Sequence, residues 1–114
     1  MIAHLVLFRP KGDLPAADRE SLVAAIDAAH REIPAIRRFR VGKRTMRSAP
    51  YAAAMPEYSF IALIEVDDEA ALQAYLDHPA HAQLARWFWS AGDGALAYDF
   101  ALIDAASVSM FLEP

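Results

Sequence analysis

Residues 58–66 read Tyr-Ser-Phe-Ile-Ala-Leu-Ile-Glu-Val, and this run is the clearest strand signal in the chain. β-branched and aromatic residues dominate it, as is usual in strands. Side chains alternate between the two faces of a strand, so the even-numbered residues share one face and the odd-numbered residues the other. Both faces are largely apolar, and burying each large apolar side chain is worth ~1.5–3 kcal/mol. We therefore expect both faces of the sheet to be covered.

The N-terminal run has the same property. Ile2–Phe8 reads Ile-Ala-His-Leu-Val-Leu-Phe and ends at a turn signal, Arg9-Pro10-Lys11-Gly12. Apolar residues again occupy both faces, and His4 is the one polar residue among them. A histidine in this position is either a hydrogen-bonded core residue or part of a pocket wall, and the sequence leaves both open.

The rest of the chain alternates between helix and strand signals. Asp13 is placed to cap a helix that is entered through Pro15 and ended by Pro34, and Asp67 or Asp68 is placed to cap the next helix. The remaining predicted elements are a strand over Phe39–Met46, a loop over residues 47–57, a helix from about Pro79 to Ser90 ended by Gly92-Asp93-Gly94, and a last strand over Leu96–Ile103. The order β-α-β-β-α-β predicts an α+β fold of the ferredoxin-like type.

The apolar faces of the strands predict an assembly. In this topology the helices cover only one face of the sheet. The other face then needs a second sheet, which a second copy of the chain supplies most simply through a two-fold axis. We predict a homodimer, a dimeric α+β barrel in which two antiparallel sheets pack face to face.

The segment Tyr75-Leu-Asp-His-Pro-Ala-His81 joins the last two helices. Pro79 disfavours helical geometry at His78 and suits the first position of a new helix. The segment therefore predicts a stiff corner that holds Tyr75 and His81 near each other. Histidine titrates near neutral pH, so an acid/base site is one interpretation, and a hydrogen-bonded corner that fixes the helix angle is the other.

Composition narrows the function classes. The chain has 114 residues, 56% of them hydrophobic, a net charge of −4 and no cysteine. A single domain without disulfides or thiolate metal sites is expected, and nothing favours nucleic acid as a partner.

The basic run between Arg37 and Arg47 is interpreted as the solvated side of one strand and its loop. No secretory signal and no apolar run near ~20 residues is present, so we expect a cytoplasmic protein without a membrane partner.

Four motifs resemble one known family. They are the opening Met1–Phe8, Val41-Gly42, the Tyr-x-x-His-Pro-x-His pattern at residues 75–81, and Asp99-Phe100. Together they are similar to the stress-responsive dimeric α/β-barrel (Dabb) domain over about residues 1 to 102. The resemblance implies a dimeric barrel, and many members have no known activity. It also implies kinship to olivetolic acid cyclase, a polyketide cyclase that closes a ring by aldol condensation without metal or cofactor.

The resemblance also implies roles for individual residues. Tyr75 matches a tyrosine that orients the substrate of the cyclase, and His81 matches its proposed general base. His4 matches a strand-one histidine of the same pocket, and Asp99 matches a last-strand acid that orients a histidine. His78 matches a corner histidine that is not usually given the chemistry. We thus predict Tyr75 and His81 as catalytic residues, with His4, His78 and Asp99 as ligand-binding residues.

Two stretches depart from the family pattern. Trp87-Phe88-Trp89 is bulky for the helix that would wall the pocket. It either shrinks the cavity or gives it a flat aromatic lining, and we predict Trp87 and Phe88 as ligand contacts. Residues 104–114 run past a domain predicted over residues 1–103, and their apolar side chains suggest an added strand or a clasp across the dimer.

Three functions remain open. The first is a domain of unassigned activity that binds a small apolar or aromatic molecule between sheet and helices, in stress response or as an accessory protein. The second is a cofactor-independent cyclase or isomerase with His81 as general base. The third is a cofactor-independent oxygenase of the wider dimeric barrel superfamily.

No metal or cofactor is predicted. A zinc site on His78 and His81 would need further ligands, for which only His4 and Asp99 are evident. No Gly-rich phosphate loop and no nucleotide fingerprint occurs in the sequence.

Overall fold

A computed structural model describes residues 1–113, which form a four-stranded antiparallel sheet with helices on one face. The elements in chain order are β1 (Ile2–Pro10), α1 (Ala16–Glu32), β2 (Arg38–Lys43), β3 (Phe60–Val66), α2 (Glu69–Asp77), α3 (Pro79–Ala91), β4 (Gly92–Ala101) and α4 (Ser109–Leu112). The strands lie in the order β2-β3-β1-β4. The predicted ferredoxin-like α+β fold is therefore confirmed.

The corner between α2 and α3 has the predicted form. Helix α2 ends at Asp77, His78 has extended dihedral angles, and Pro79 is the first residue of α3. The Nδ1 atom of His78 accepts a hydrogen bond from the backbone N–H of Ala80 at 3.0 Å. His78 therefore caps α3, as polar side chains do at helix N-termini. The rigid corner fixes the direction in which α3 crosses the sheet.

The two predicted helix caps have different outcomes. Asp68 caps α2, since its carboxylate accepts a hydrogen bond from the N–H of Ala71 at 2.8 Å. The prediction for Asp13 is wrong, because α1 begins at Ala16 and no side chain caps it. Pro15 occupies the capping position, and Asp13 lies in the turn before it.

The last strand begins earlier than predicted. Helix α3 passes directly into β4 at Gly92, which has extended dihedral angles rather than those of a helix-terminating turn. A Cβ atom at Gly92 would lie 2.6 Å from the ring of Phe8 and 2.7 Å from the carbonyl oxygen of Phe88. Glycine is needed here because the strand approaches the core closely. Strand β4 ends at Ala101 instead of Ile103.

The second strand is shorter than predicted. It ends at Lys43 and not at Met46, which has a φ of 55° in the loop that follows. Four of the six basic residues between Arg37 and Arg47 pair with acids. Arg37 contacts Asp67 at 2.7 Å, and the other pairs are Arg40 with Glu65, and both Arg44 and Arg47 with Glu57.

The helices cover one face of the sheet, which we call the covered face. Its core side chains include Phe8, Ile64 and Val66, all almost completely buried. The opposite face, the open face, has no layer over it in the single chain. Strand register places there the apolar residues Leu5, Leu7, Ile61, Leu63, Leu96, Tyr98 and Phe100.

The isolated chain has more surface than its size requires. Its accessible area is 7627 Å², about 1,400 Å² above the ~6,200 Å² typical of a compact monomer of 12.6 kDa. Its radius of gyration of 15.7 Å also exceeds the ~13 Å expected for this length. The smallest dimension is 20 Å, the thickness of one sheet and one helix layer.

The chain beyond the last strand is helical. Residues 105–107 form a 3-10 turn and α4 follows, so the alternative of an added strand is wrong for the described part of the segment. The clasp stays a prediction, and Pro114 lies outside the described residues. Within residues 1–113, no helix is both long and apolar enough to cross a membrane.

Candidate functional site

A cavity of about 310 Å³ lies between the covered face and helices α2 and α3. Leu76 of α2 and Leu84 and Phe88 of α3 form apolar walls, and Val6 and Ile64 of the sheet form the floor. The apolar walls are typical of a pocket for a small organic molecule.

Small side chains of the sheet leave this space open. Ala62 of β3 and Ala95 and Ala97 of β4 all line the cavity. Larger residues at these inward positions would fill it. The mouth lies at the edge strand β4, because Trp89 and Asp99 line the cavity and yet remain 67% and about 45% exposed.

His4 and Asp99 form the first polar pair of the site. They lie opposite each other on β1 and β4, and Nδ1 of His4 is 2.6 Å from a carboxylate oxygen of Asp99. The carboxylate accepts this bond, so Nδ1 of His4 donates. The opposite ring nitrogen of His4 is then left for the cavity, although the residue is only 6% exposed. Such pairing fixes both the orientation and the tautomer of an imidazole.

Tyr75 and His81 complete a compact cluster with His4. The ring centroids of Tyr75 and His81 are 4.7 Å apart, and His4 lies 5.4 Å from Tyr75 and 6.5 Å from His81. The corner brings Tyr75 from α2 and His81 from α3 to one end of the cavity, and β1 supplies His4 beneath them. Three groups able to donate or accept a proton therefore share one apolar space.

Burial sets the protonation states of two members of this cluster. It lowers the pKa of His81, the nearby His4 lowers it further, and the backbone of Leu76 partly opposes the change. Neutral His81 is thus favoured and is able to accept a proton. Burial, with a smaller contribution from the charge of Asp99, raises the pKa of Tyr75. The phenol therefore stays protonated and acts as a hydrogen-bond donor.

The polar groups of this cluster are available to a ligand. Within residues 1–113, the hydroxyl of Tyr75 has no hydrogen bond to another group, whereas the ring of His81 has the backbone of Leu76 as a hydrogen-bond neighbour. Both side chains line the cavity, and no buried side-chain nitrogen or oxygen of the described residues lacks a partner. A molecule in the cavity is therefore positioned to meet the phenol and the imidazoles directly.

The family model for the stress responsive A/B barrel domain (Dabb) matches residues 2–102. The chain belongs to this family. The resemblance seen in the sequence motifs is thereby confirmed. No match was found among curated proteins.

Solved structures share the fold of this Dabb protein. A dimeric ferredoxin-like protein of unknown function from Thermobifida fusca is 25% identical, with a TM-score of 0.69 over 89% of this chain and 90% of that one. A second such protein, from Jannaschia, is 26% identical, with a TM-score of 0.72 over 89% and 98% of the two chains. A hydroxynitrile lyase from Passiflora edulis has a TM-score of 0.77 at 13% identity, over 91% and 94%.

The structure brings together most of the site residues predicted for this Dabb protein. Tyr75, His81, His4, Phe88 and Asp99 all line the cavity.

Two predicted residues of the Dabb protein lie elsewhere. His78 caps α3 and is absent from the cavity wall, and Trp87 packs against the core. Trp89 lines the cavity, although it is not among the ligand contacts predicted from the sequence. The helical spacing of residues 81, 84, 85 and 88 is the signal for that face of α3, and position 89 extends it by one residue.

The same arrangement bears on the zinc alternative. No group of three or more side chains suited to hold a metal ion occurs in the part of the chain that the structure describes. Nδ1 of His78 is engaged in the helix cap.

Proposed function

We propose that this Dabb protein binds a small, uncharged, mostly apolar or aromatic molecule in the cavity between sheet and helices. The observation that carries the proposal is an open, apolar cavity with the hydroxyl of Tyr75 and the imidazoles of His4 and His81 at one end. Its volume of about 310 Å³ is at the small end of the range of ligand pockets. A compact ring system with one or two polar substituents fits these properties.

Charge supports an uncharged ligand. Among residues 1–113, Asp99 is the only charged residue that lines the cavity, and its carboxylate is bound to His4. The described lining includes no lysine or arginine to hold a phosphate or a carboxylate. Tyr75 is suited to donate a hydrogen bond to a carbonyl or hydroxyl oxygen, and a neutral imidazole to accept one.

Tryptophan fluorescence tests this proposal. A screen of phenols, short polyketide mimics and quinols should contain ligands that change the emission of Trp89 at the mouth of the cavity. Ala97→Phe should abolish that binding by filling the cavity, whereas Ala24→Phe, on the exposed surface of α1, should leave it unchanged. Equal binding by the wild-type protein and Ala97→Phe would place the ligand elsewhere.

We propose a homodimer as the working form. The excess surface of the single chain and its apolar open face support this assembly. The Thermobifida and Jannaschia proteins are described as dimeric. Light scattering at micromolar concentration should give twice the chain mass, and a clean 12.6 kDa species would refute the dimer.

A second candidate is acid/base catalysis of the cyclase or isomerase type. The specific observation is that burial favours a neutral His81 beside a protonated Tyr75. Neutral His81 would take a proton from a carbon next to a carbonyl group, and the electron pair would move onto the carbonyl oxygen. Tyr75 would stabilise that oxygen by donating a hydrogen bond. In a cyclase, the carbon would then attack a second carbonyl of the same molecule.

Proton exchange tests this candidate, because the measurement does not require that the product of the reaction be known. Acetophenone in deuterated buffer should lose its methyl proton signals faster with the protein than without it. His81→Ala should slow the catalysed exchange by ~10²–10⁴-fold, the usual effect of losing a general base. His30→Ala, an exposed histidine on α1, is the matched control and should keep the wild-type rate.

The outcomes separate the two candidates. If the screen finds ligands that bind and none of them exchanges protons, only the binding role is supported. Exchange that survives His81→Ala would refute His81 as the base. Mandelonitrile is a second probe, since the Passiflora neighbour is a hydroxynitrile lyase and cyanohydrin cleavage also requires removal of a proton.

A further inference from the structure

The chain continues past the family match with an apolar surface that nothing covers. We call residues 104–113 the C-terminal segment. Within it, Val108, Met110, Phe111 and Leu112 are all at least half exposed. Large apolar side chains are unusual at this density in a solvated tail. Exposed apolar patches of this kind mark interaction surfaces.

The helix in this segment needs a packing partner. Helix α4 has four residues and no side-chain cap, and none of its side chains is buried. Helices shorter than ~12 residues are marginal in water unless tertiary packing stabilises them. The segment is also bonded mainly to itself, through Phe111 N–H to Val108 C=O and Glu113 N–H to Ser109 C=O.

The segment is continuous with the open face. On β4, Leu96, Tyr98 and Phe100 point to that face, and the rings of Tyr98 and Phe100 stack at 6.0 Å. Leu102 follows at the same spacing and is tied to β1 by a hydrogen bond from its N–H to the carbonyl of Met1. The apolar stripe therefore runs along β4 and through Leu102 to the start of the C-terminal segment, where Asp104 is the first polar residue.

Strand order places the segment at an edge of the sheet. Strand β4 is an edge strand, paired only with β1, and the segment leaves from its end. A two-fold partner that covers the open face would lie against the apolar stripe, and hence beside the segment. Charge is also complementary, since Asp104 and Glu113 lie in the segment and register places Arg38 on the open face, beside an Arg40 that pairs with Glu65.

We propose that the C-terminal segment is a clasp that packs Val108, Phe111 and Leu112 against a second copy of the chain. The proposal rests on the proposed homodimer. The clasp adds buried apolar area to the dimer interface that the open face forms. It also gives α4 the tertiary packing that a helix of four residues requires.

Sedimentation of the full chain and its variants tests the clasp. Phe111→Ser should weaken dimerisation by roughly tenfold or more, the scale of truncating a buried aromatic anchor. Removal of residues 104–114 should weaken it further. Val23→Ser removes an equally exposed apolar side chain from α1 on the other side of the molecule and should leave dimerisation unchanged.

A crosslinking experiment shows which copy the segment touches. A photoreactive benzoylphenylalanine in place of Phe111 should give a product of twice the chain mass. Crosslinks confined to one chain would refute the clasp, as would a dimer whose dissociation is the same in the wild-type protein and Phe111→Ser. A full chain that is monomeric in solution would instead refute the homodimer itself, and the clasp with it.

Discussion

The two faces of the sheet have almost the same hydrophobic pattern and different surroundings. On the covered face, Phe8 and Ile64 are each 1% exposed, because α1, α2 and α3 lie over them. On the open face, Tyr98 and Phe100 are 48% and 49% exposed. The hydrophobic pattern of the strands thus indicates that a face must be covered. Whether the same chain or a second copy supplies the cover depends on topology.

The faces also differ in chemistry. The covered face carries His4 and Asp99 beneath Tyr75 and His81, in a cavity that the helix layer does not fill. The register places no histidine on the open face. The polar cluster is therefore enclosed by the chain that makes it, whereas the open face is suited to association.

The largest expected effect is on the covered face. Phe8→Ala should lower the free energy of unfolding by ~3–5 kcal/mol, since Phe8 packs on Phe60 and Phe88 in the core. Denaturant unfolding measures this loss. Phe100→Ala, the matched truncation on the open face, should cost much less at protein concentrations where the chain is monomeric. Equal losses under those conditions would contradict the distinction between the faces.

A charge placed on the open face should weaken dimerisation. Phe100→Asp should raise the dimer dissociation constant at least about thirtyfold, the effect of losing ~2 kcal/mol at an interface. Sedimentation velocity over a concentration series measures it, and the melting temperature should fall below that of the wild-type protein at the same concentration, because the partner stabilises the folded chain less. Val41→Asp is the control, because Val41 is similarly exposed on the same sheet but lies on the covered side. Loss of the dimer in both variants would refute the open face as the interface.

Capping at the corner should have a moderate and purely structural effect. His78→Ala should reduce stability by ~1 kcal/mol, the usual cost of removing a helix cap. His78→Asn should retain most of the stability, because asparagine is also a good cap. Ligand affinity in the cavity, measured by fluorescence, should be unchanged in His78→Asn. A selective loss of affinity in that variant would return His78 to the ligand-binding residues.

The smallest expected effect is on the pH dependence of stability. The folded-state pKa of His81 lies below its unfolded value of about 6.5, so the unfolded chain binds a proton more readily. The stabilisation is complete above pH ~6.5 and is lost as the pH falls from there through the folded-state pKa. Melting temperatures from pH 7 to 5 should fall less steeply in His81→Gln than in the wild-type protein. A steeper fall in the variant would have the wrong sign.

Much of the architecture followed from local patterns. The alternation in β1 and β3, the Tyr75–His81 corner and the helical stripes predicted the ferredoxin-like order, and the structure has it. Boundaries were less accurate where tertiary packing overrode a local signal. Gly92 looks like a helix terminator in sequence, but the ring of Phe8 and the extended backbone make it the first residue of a strand.

The sequence by itself determined which residue types are present and which side of an element they occupy. It selected His4, Tyr75, His81 and Asp99, because histidine, tyrosine and a last-strand acid have recognisable positions in the family pattern. The corner also predicted that Tyr75 and His81 lie close together, but only the tertiary structure decided how the two strand residues meet. His4 and Asp99 are 95 residues apart in the chain and meet because β1 pairs with β4 in one register. Non-local pairing of this kind leaves no local trace in a sequence.

The tertiary structure also gave different roles to the two histidines of the corner and to the two tryptophans of α3. His78 and His81 are three residues apart, yet one nitrogen of His78 is used by the helix cap and the ring of His81 faces the cavity. Trp87 and Trp89 are two residues apart, and one packs on the core while the other lines the mouth. Residues so close in sequence have different roles because a helix turns neighbouring side chains about 100° apart, and only the packing of that helix decides which side faces the cavity.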